Sequence, residues 1–179
     1  MKEDEKLREA KYFYSRMIEE QENRDAFKFN LSAFLSSARS VLQYALKEAR
    51  RKTGGQQWYD NWMDSSCVLS FLGKKRNFNT HTAPIEPRTD VTITVHDMVH
   101  ISDSVHIELK DKEGKVLETQ DIQEKAQPRE ETIPPVTSES RHKFQDWSGN
   151  EDVIELCGKY IQELEKVILD GLNKGYITK

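Results

Sequence analysis

From Ala26 to about Lys52 the apolar residues Phe27, Leu31, Phe34, Leu35, Ala38, Val41, Leu42, Ala45, Leu46 and Ala49 return every three or four positions. That period matches a helix of 3.6 residues per turn and runs for roughly 40 Å at ~1.5 Å per residue. A rod this long with one continuous apolar stripe cannot be stable alone. It must be the central helix of a bundle, and everything else in the chain has to supply its cover.

Two neighbouring stretches carry the same signal. Residues 3–22 space Leu7, Ala10, Tyr14, Met17, Ile18 and Gln21 as one helical face, and Asn23-Arg24-Asp25 offers a stop followed by a new N-cap. Near the other end, Val153, Ile154, Cys157, Ile161, Leu164, Val167, Ile168 and Leu172 form a seam close to a heptad. Ser148-Gly149-Asn150 ahead of Glu151 and Asp152 predicts the N-terminus of that helix, and Gly171 or Gly175 its end. This helix is expected to return along the central rod.

Between them lie less regular segments. Lys47, Arg50, Arg51 and Lys52 precede Gly54-Gly55, where cations meet the negative end of the helix dipole. Trp58, Tyr59, Trp62 and Met63 are too aromatic to leave in water and predict a short plug. Ser65-Ser66 can open a further helix with Val68, Leu69, Phe71 and Leu72 inward, which Gly73 interrupts and Pro84 and Pro87 end. The period then falls to two in Val91–Val95, Val105–Leu109 and Lys115–Thr119. A small antiparallel β insertion is expected at about 91–120. Residues 121–148 read as a polar loop tacked down by Phe144 and Trp147. The fold class is therefore mainly α, an up-and-down helical bundle with a small antiparallel β insertion, in a single domain over 1–179.

Composition narrows the function. With 32% charged residues, a net charge of −4 and a mean hydropathy of −0.80, the chain reads as folded and highly solvated. Nucleic acid could be held only by a local basic patch, not by the overall field. No window approaches the ~18 apolar residues of a membrane span, and the acidic start lacks a leader's apolar core. Cys67 and Cys157, both in apolar helical patterns, fit a reducing cytoplasm. No glycine-rich phosphate loop, nucleophile elbow or zincin motif occurs, so no cofactor is expected. His96, His100 and His106, with Asp97 and Asp103, give a His-x3-His spacing that could hold zinc, but without a cysteine or a clear fourth ligand no metal is expected there.

The remaining chemistry concentrates in Lys74-Lys75-Arg76-Asn77-Phe78-Asn79-Thr80-His81. Asn77 and His81, four apart, share a helical face, and the long Arg76 side chain can curl onto it. An imidazole moves protons in either direction near neutral pH, and a guanidinium stabilises charge building on phosphate oxygens. The set reads either as a site for attack of a ribose 2′-hydroxyl on the adjacent phosphate without a metal, or as a surface arginine and a helix-terminal histidine that cap carbonyls. Lys74, Lys75, Arg50 and Arg51 are the candidate RNA-binding cations, and Asn77 the orienting group.

Arg76-x4-His81, with a polar residue directly after the arginine, resembles the Arg-x4-6-His motif of the HEPN superfamily. The resemblance covers the helical parts and not residues 88–148. It implies a helical-bundle endoribonuclease acting as a homodimer across the motif helices, a toxin or defence effector held in check by an antitoxin or regulatory protein. In some members a tyrosine two residues after the histidine is modified by a nucleotidyltransferase antitoxin; here that position is Ala83. The alternatives are a non-catalytic HEPN-like module that binds a nucleotide or a protein through its hairpin edge, and a structural helical adaptor.

Overall fold

The computed structural model describes residues 1–95, 104–123 and 136–178. Five helices carry most of the chain: α1 (Lys2–Glu19), α2 (Arg24–Ala49), α3 (Gly55–Ser65), α4 (Cys67–His81) and α5 (Val153–Asn173). Four strands complete it: β1 (Arg88–Thr94), β2 (Ser104–Lys110), β3 (Val116–Gln123) and β4 (Thr137–Lys143). The contacts divide the chain into two units, Met1–Thr92 with Glu139–Lys179, and Ile93–Ser138.

In the helical unit α2 is the central rod. Its N-terminus is capped by Asn23, whose side chain accepts from the Ala26 amide, and it packs on α1, α3, α4 and α5. Phe27, Leu31, Phe34, Leu35, Ala38, Val41, Leu42, Ala45 and Ala49 are all essentially inaccessible. Burying each large side chain of that set contributes about 1.5–3 kcal/mol relative to leaving it in water. The rod ends at Ala49, short of Lys52, because the chain turns sharply there. Gly54 has φ +79°, and a Cβ on Gly55 would stand 1.9 Å from the Ala49 carbonyl oxygen. Only glycine fits that approach.

Polar anchors set the helix directions. Thr178 bonds Glu48 and Lys52 bonds the Gly175 carbonyl, so the end of α5 lies at the end of α2. Asn79 donates to the Ser32 hydroxyl at 2.7 Å, and Lys28 pairs with Glu86 at 2.9 Å. The end of α4 therefore lies near the start of α2, and the two helices run antiparallel. On α5, Asp170 Oδ2 accepts from both indoles of α3, Trp58 at 2.7 Å and Trp62 at 3.0 Å. These bonds satisfy the polar tips of the aromatic plug.

Several expectations need correction. Gly73 does not interrupt a helix; it is buried inside a continuous α4. The α5 N-cap is Asp152, in a reciprocal capping box with Glu155, and not the 148–150 segment. Cys67 is exposed at the start of α4, whereas Cys157 is buried and its thiol is pushed well up by desolvation. By contrast α5 ends as expected, at Asn173 between Gly171 and Gly175.

The β region departs further. Two two-stranded sheets form, β1 with β4 and β2 with β3, and β4 lies within the expected polar loop. Its polar sequence hides a buried pair, Ser140 and His142. His142 Nε2 donates to the Gln21 carbonyl at 2.9 Å, Nδ1 meets the Thr89 hydroxyl at 3.0 Å, and the ring stacks on Phe27 at 3.7 Å. Glu22 accepts from the amide and hydroxyl of Ser140, which lowers its carboxyl pKa. In the same segment Phe144 is buried and Trp147 packs on Phe71, as expected. No helix among the described residues is long and apolar enough to cross a membrane.

Candidate functional site

Ser66 caps α4 by accepting from the Leu69 amide, and Leu69, Leu72 and Gly73 turn inward. Continuing that stripe at about 100° per residue brings Arg76 and Asn79 to the same inner side. Lys74, Asn77, Phe78 and His81, at i, i+3, i+4 and i+7, occupy the opposite side, and all four are exposed. The helix thus has an anchored face and a presented face.

Asn79 is the anchor. Besides donating to Ser32, its side-chain oxygen accepts from the Ile85 amide at 3.1 Å, fixing the chain where it leaves the helix. Thr80 bonds back to the Arg76 carbonyl at 3.0 Å. Among the described residues these bonds leave the His81 imidazole out, exposed in the last turn.

Arg76 stands about 140° round the helix from His81. It is half-buried, and its Nε is enclosed with no partner among the described residues, while Nη1 reaches the Asn77 side-chain oxygen at 3.4 Å. The guanidinium does curl toward the Asn77 edge of the presented face. Its Nη1 faces that edge, while the Nε side is turned inward.

The candidate RNA-binding cations separate. Lys74 is exposed beside Asn77 and Phe78. Lys75 is committed elsewhere: its ammonium pairs with Asp146 at 2.6 Å and lies 5.3 Å and 5.1 Å from the ring centres of Phe71 and Phe144. It staples the 144–146 segment to α4. Arg50 and Arg51 are not near the motif. Ser32, which touches α4, is 18 residues from Arg50, about 27 Å along the helix. Arg50 bonds Gln56 at 2.6 Å, and Arg51 lines a separate groove with Tyr44, Glu48 and Thr178. Among the described residues Arg50 and Arg51 thus lie apart from His81.

Phe78 is the residue the sequence reading passed over. It is 46% exposed and walls a cleft of about 220 Å³ with Ile85, Glu86 and Phe144. An exposed aromatic ring one turn before a free imidazole is a platform on which a planar base can stack. Its spacing, four after Lys74 and three before His81, was the signal that could have found it.

The histidine spacing at 96–106 falls largely outside the described residues. His96 and His100 lie outside the described residues, and His106 contacts Asp121 and Glu108. Among the described residues no group of three potential ligands is arranged to hold a metal. Comparison with known protein families, with curated proteins and with solved structures returned no match.

Proposed function

We propose that the presented face of α4 is an RNA-cleaving surface, working without a metal as a HEPN-like endoribonuclease. The observation that carries this reading is His81, exposed and, among the described residues, without an intramolecular bond, on the same face as Lys74, Asn77 and Phe78. Lys74 would meet a phosphate, Phe78 a base, and Asn77 with the Nη1 end of Arg76 the scissile phosphate oxygens.

The step itself is a transesterification. His81 takes the proton of the ribose 2′-hydroxyl, the 2′-oxygen bonds to the adjacent phosphorus, and the bond to the 5′-oxygen breaks. That leaving oxygen needs a proton from the opposite side. One stripe supplies one imidazole on an open surface, so a second copy facing it across a two-fold axis would supply the acid and close the cleft. This is the homodimer that the motif's resemblance implies. A toxin or defence role under a regulatory protein, in a cytoplasmic setting, belongs to the same reading.

Arg76 supports the second reading, a non-catalytic nucleotide- or protein-binding module. A half-buried guanidinium already touching Asn77 is partly spent on structure. Incubating pure protein with mixed RNA in excess chelator separates the two. Cleavage should yield cyclic phosphate ends, fail on a 2′-deoxy nucleotide at the scissile position, and vanish in His81→Ala. Equal activity in wild type and His81→Ala would overturn the nuclease reading.

A further inference from the structure

Strand β2 pairs with β3 along one edge, and among the described residues no strand lies along its other edge. Its sequence Ser104-Val105-His106-Ile107-Glu108-Leu109-Lys110 alternates, placing positions 105, 107 and 109 on one face and 106, 108 and 110 on the other. Ile107 is 40% exposed and Leu109 56%. An isolated hairpin is marginal in water, and an open edge with an apolar face invites another strand.

We propose that the occupant is the β2 of a second copy, paired antiparallel about a two-fold axis through Ile107. The register follows from the sequence. Any pairing whose two residue numbers sum to an odd value sets the apolar positions against the polar ones, so the axis must pass through a residue. Centred on Glu108, it opposes two carboxylates and sets His106 against Lys110. Centred on His106, it opposes two imidazoles and leaves Glu108 facing serine. Centred on Ile107, it pairs His106 with the partner's Glu108 twice, Val105 with Leu109, Ser104 with Lys110, and Ile107 with itself.

Of these three, only the last sets an imidazole against a carboxylate acceptor on one face and apolar residues against each other on the other. Within the hairpin His106 already contacts Asp121, which lies opposite it on β3. In the doubled sheet each imidazole would stand between Asp121 and the partner's Glu108. The strand order becomes β3-β2-β2-β3, and the edge of β2 left unpaired among the described residues is covered.

The register makes a sharp test. In a Cys67→Ser background, which removes the exposed thiol, Ile107→Cys would bring two Cα atoms to about 4.5–5.5 Å, within the range of a disulfide. The full chain should oxidise to a covalent dimer. Thr119→Cys, on β3 opposite Glu108, would sit three strand spacings across and two residues along from its mate, about 16 Å away, and should stay uncrosslinked. Glu108→Lys removes the acceptor from both His106 pairs and should weaken dimerisation about tenfold by sedimentation. Ile107→Cys oxidising no faster than Thr119→Cys would overturn the proposal. Repeating the crosslink in His81→Ala keeps it separate from the cleavage reading, on which it does not rest.

Discussion

Asn77 and Asn79 are two residues apart on one helix, yet their contacts assign them opposite duties, and replacing each by alanine exposes the difference. Asn79→Ala removes the acceptor of the Ile85 amide and the donor to Ser32. Ile85 is only 8% exposed, so its N–H is left without a ready partner. A buried donor stranded in this way costs about 1–3 kcal/mol, whereas the half-exposed Ser32 hydroxyl recovers water and loses less. The expected cost is about 2 kcal/mol, or roughly 4–8 °C in melting temperature for a chain of this size. Asn77→Ala, on the presented face, should stay within about 0.5 kcal/mol. Urea unfolding followed by circular dichroism measures both, and a cycle with Ser32→Ala isolates the 2.7 Å bond, with a coupling of about 0.5–1.5 kcal/mol. Equal costs for the two asparagines would refute the orientation of α4, and with it the choice of His81's face.

The remaining predictions concern stability and pH. Asp170→Ala should cost about 2 kcal/mol, because the Trp58 indole N–H, on a residue 5% exposed, loses its acceptor; Asp170→Asn keeps an acceptor there and should cost less. The Glu151 carboxyl is held down to about 2 by the Lys159 ammonium and the Trp147 indole, and Glu22 and Asp170 are also lowered. Their stabilisation is present above the ordinary carboxylate range near 4.5 and fades as pH falls toward the folded-state values, so acid unfolding should deepen over that window. Glu3 runs the other way. Burial raises its carboxyl, so folding favours its protonated form, and that contribution fades as pH rises. Glu3→Gln should therefore raise the melting temperature at pH 7 and lose the gain at pH 3.

How much of this was legible depends on where each structural constraint resides. The helices were readable because their burial repeats along the sequence, from Phe27 to Ala49 and from Val153 to Ile168. Strand β4 was not, since Thr137–Lys143 is polar at every position and is buried at Ser140 and His142 through partners distant in sequence, Gln21, Glu22 and Thr89. The motif's helix, its end at His81 and the face shared by Asn77 and His81 were all readable from spacing. Its surroundings were not: Lys75 looked like a free cation until Asp146 and Phe144 arrived beside it, and Arg50 and Arg51 looked like neighbours until α4 ran antiparallel to α2. Sequence spacing sets the faces of one helix. It does not set which end of the next helix lies alongside.

The most direct test of the α4 site is an amide and imidazole NMR titration with a short RNA carrying 2′-deoxy nucleotides, which binds without being cut. The account predicts shifts confined to Lys74, Asn77, Phe78 and His81, with Lys75 and Arg50 unmoved and the slope on salt reflecting few phosphate contacts. Shifts centred on Arg50 and Arg51, or none on the α4 stripe at saturating RNA, would contradict it.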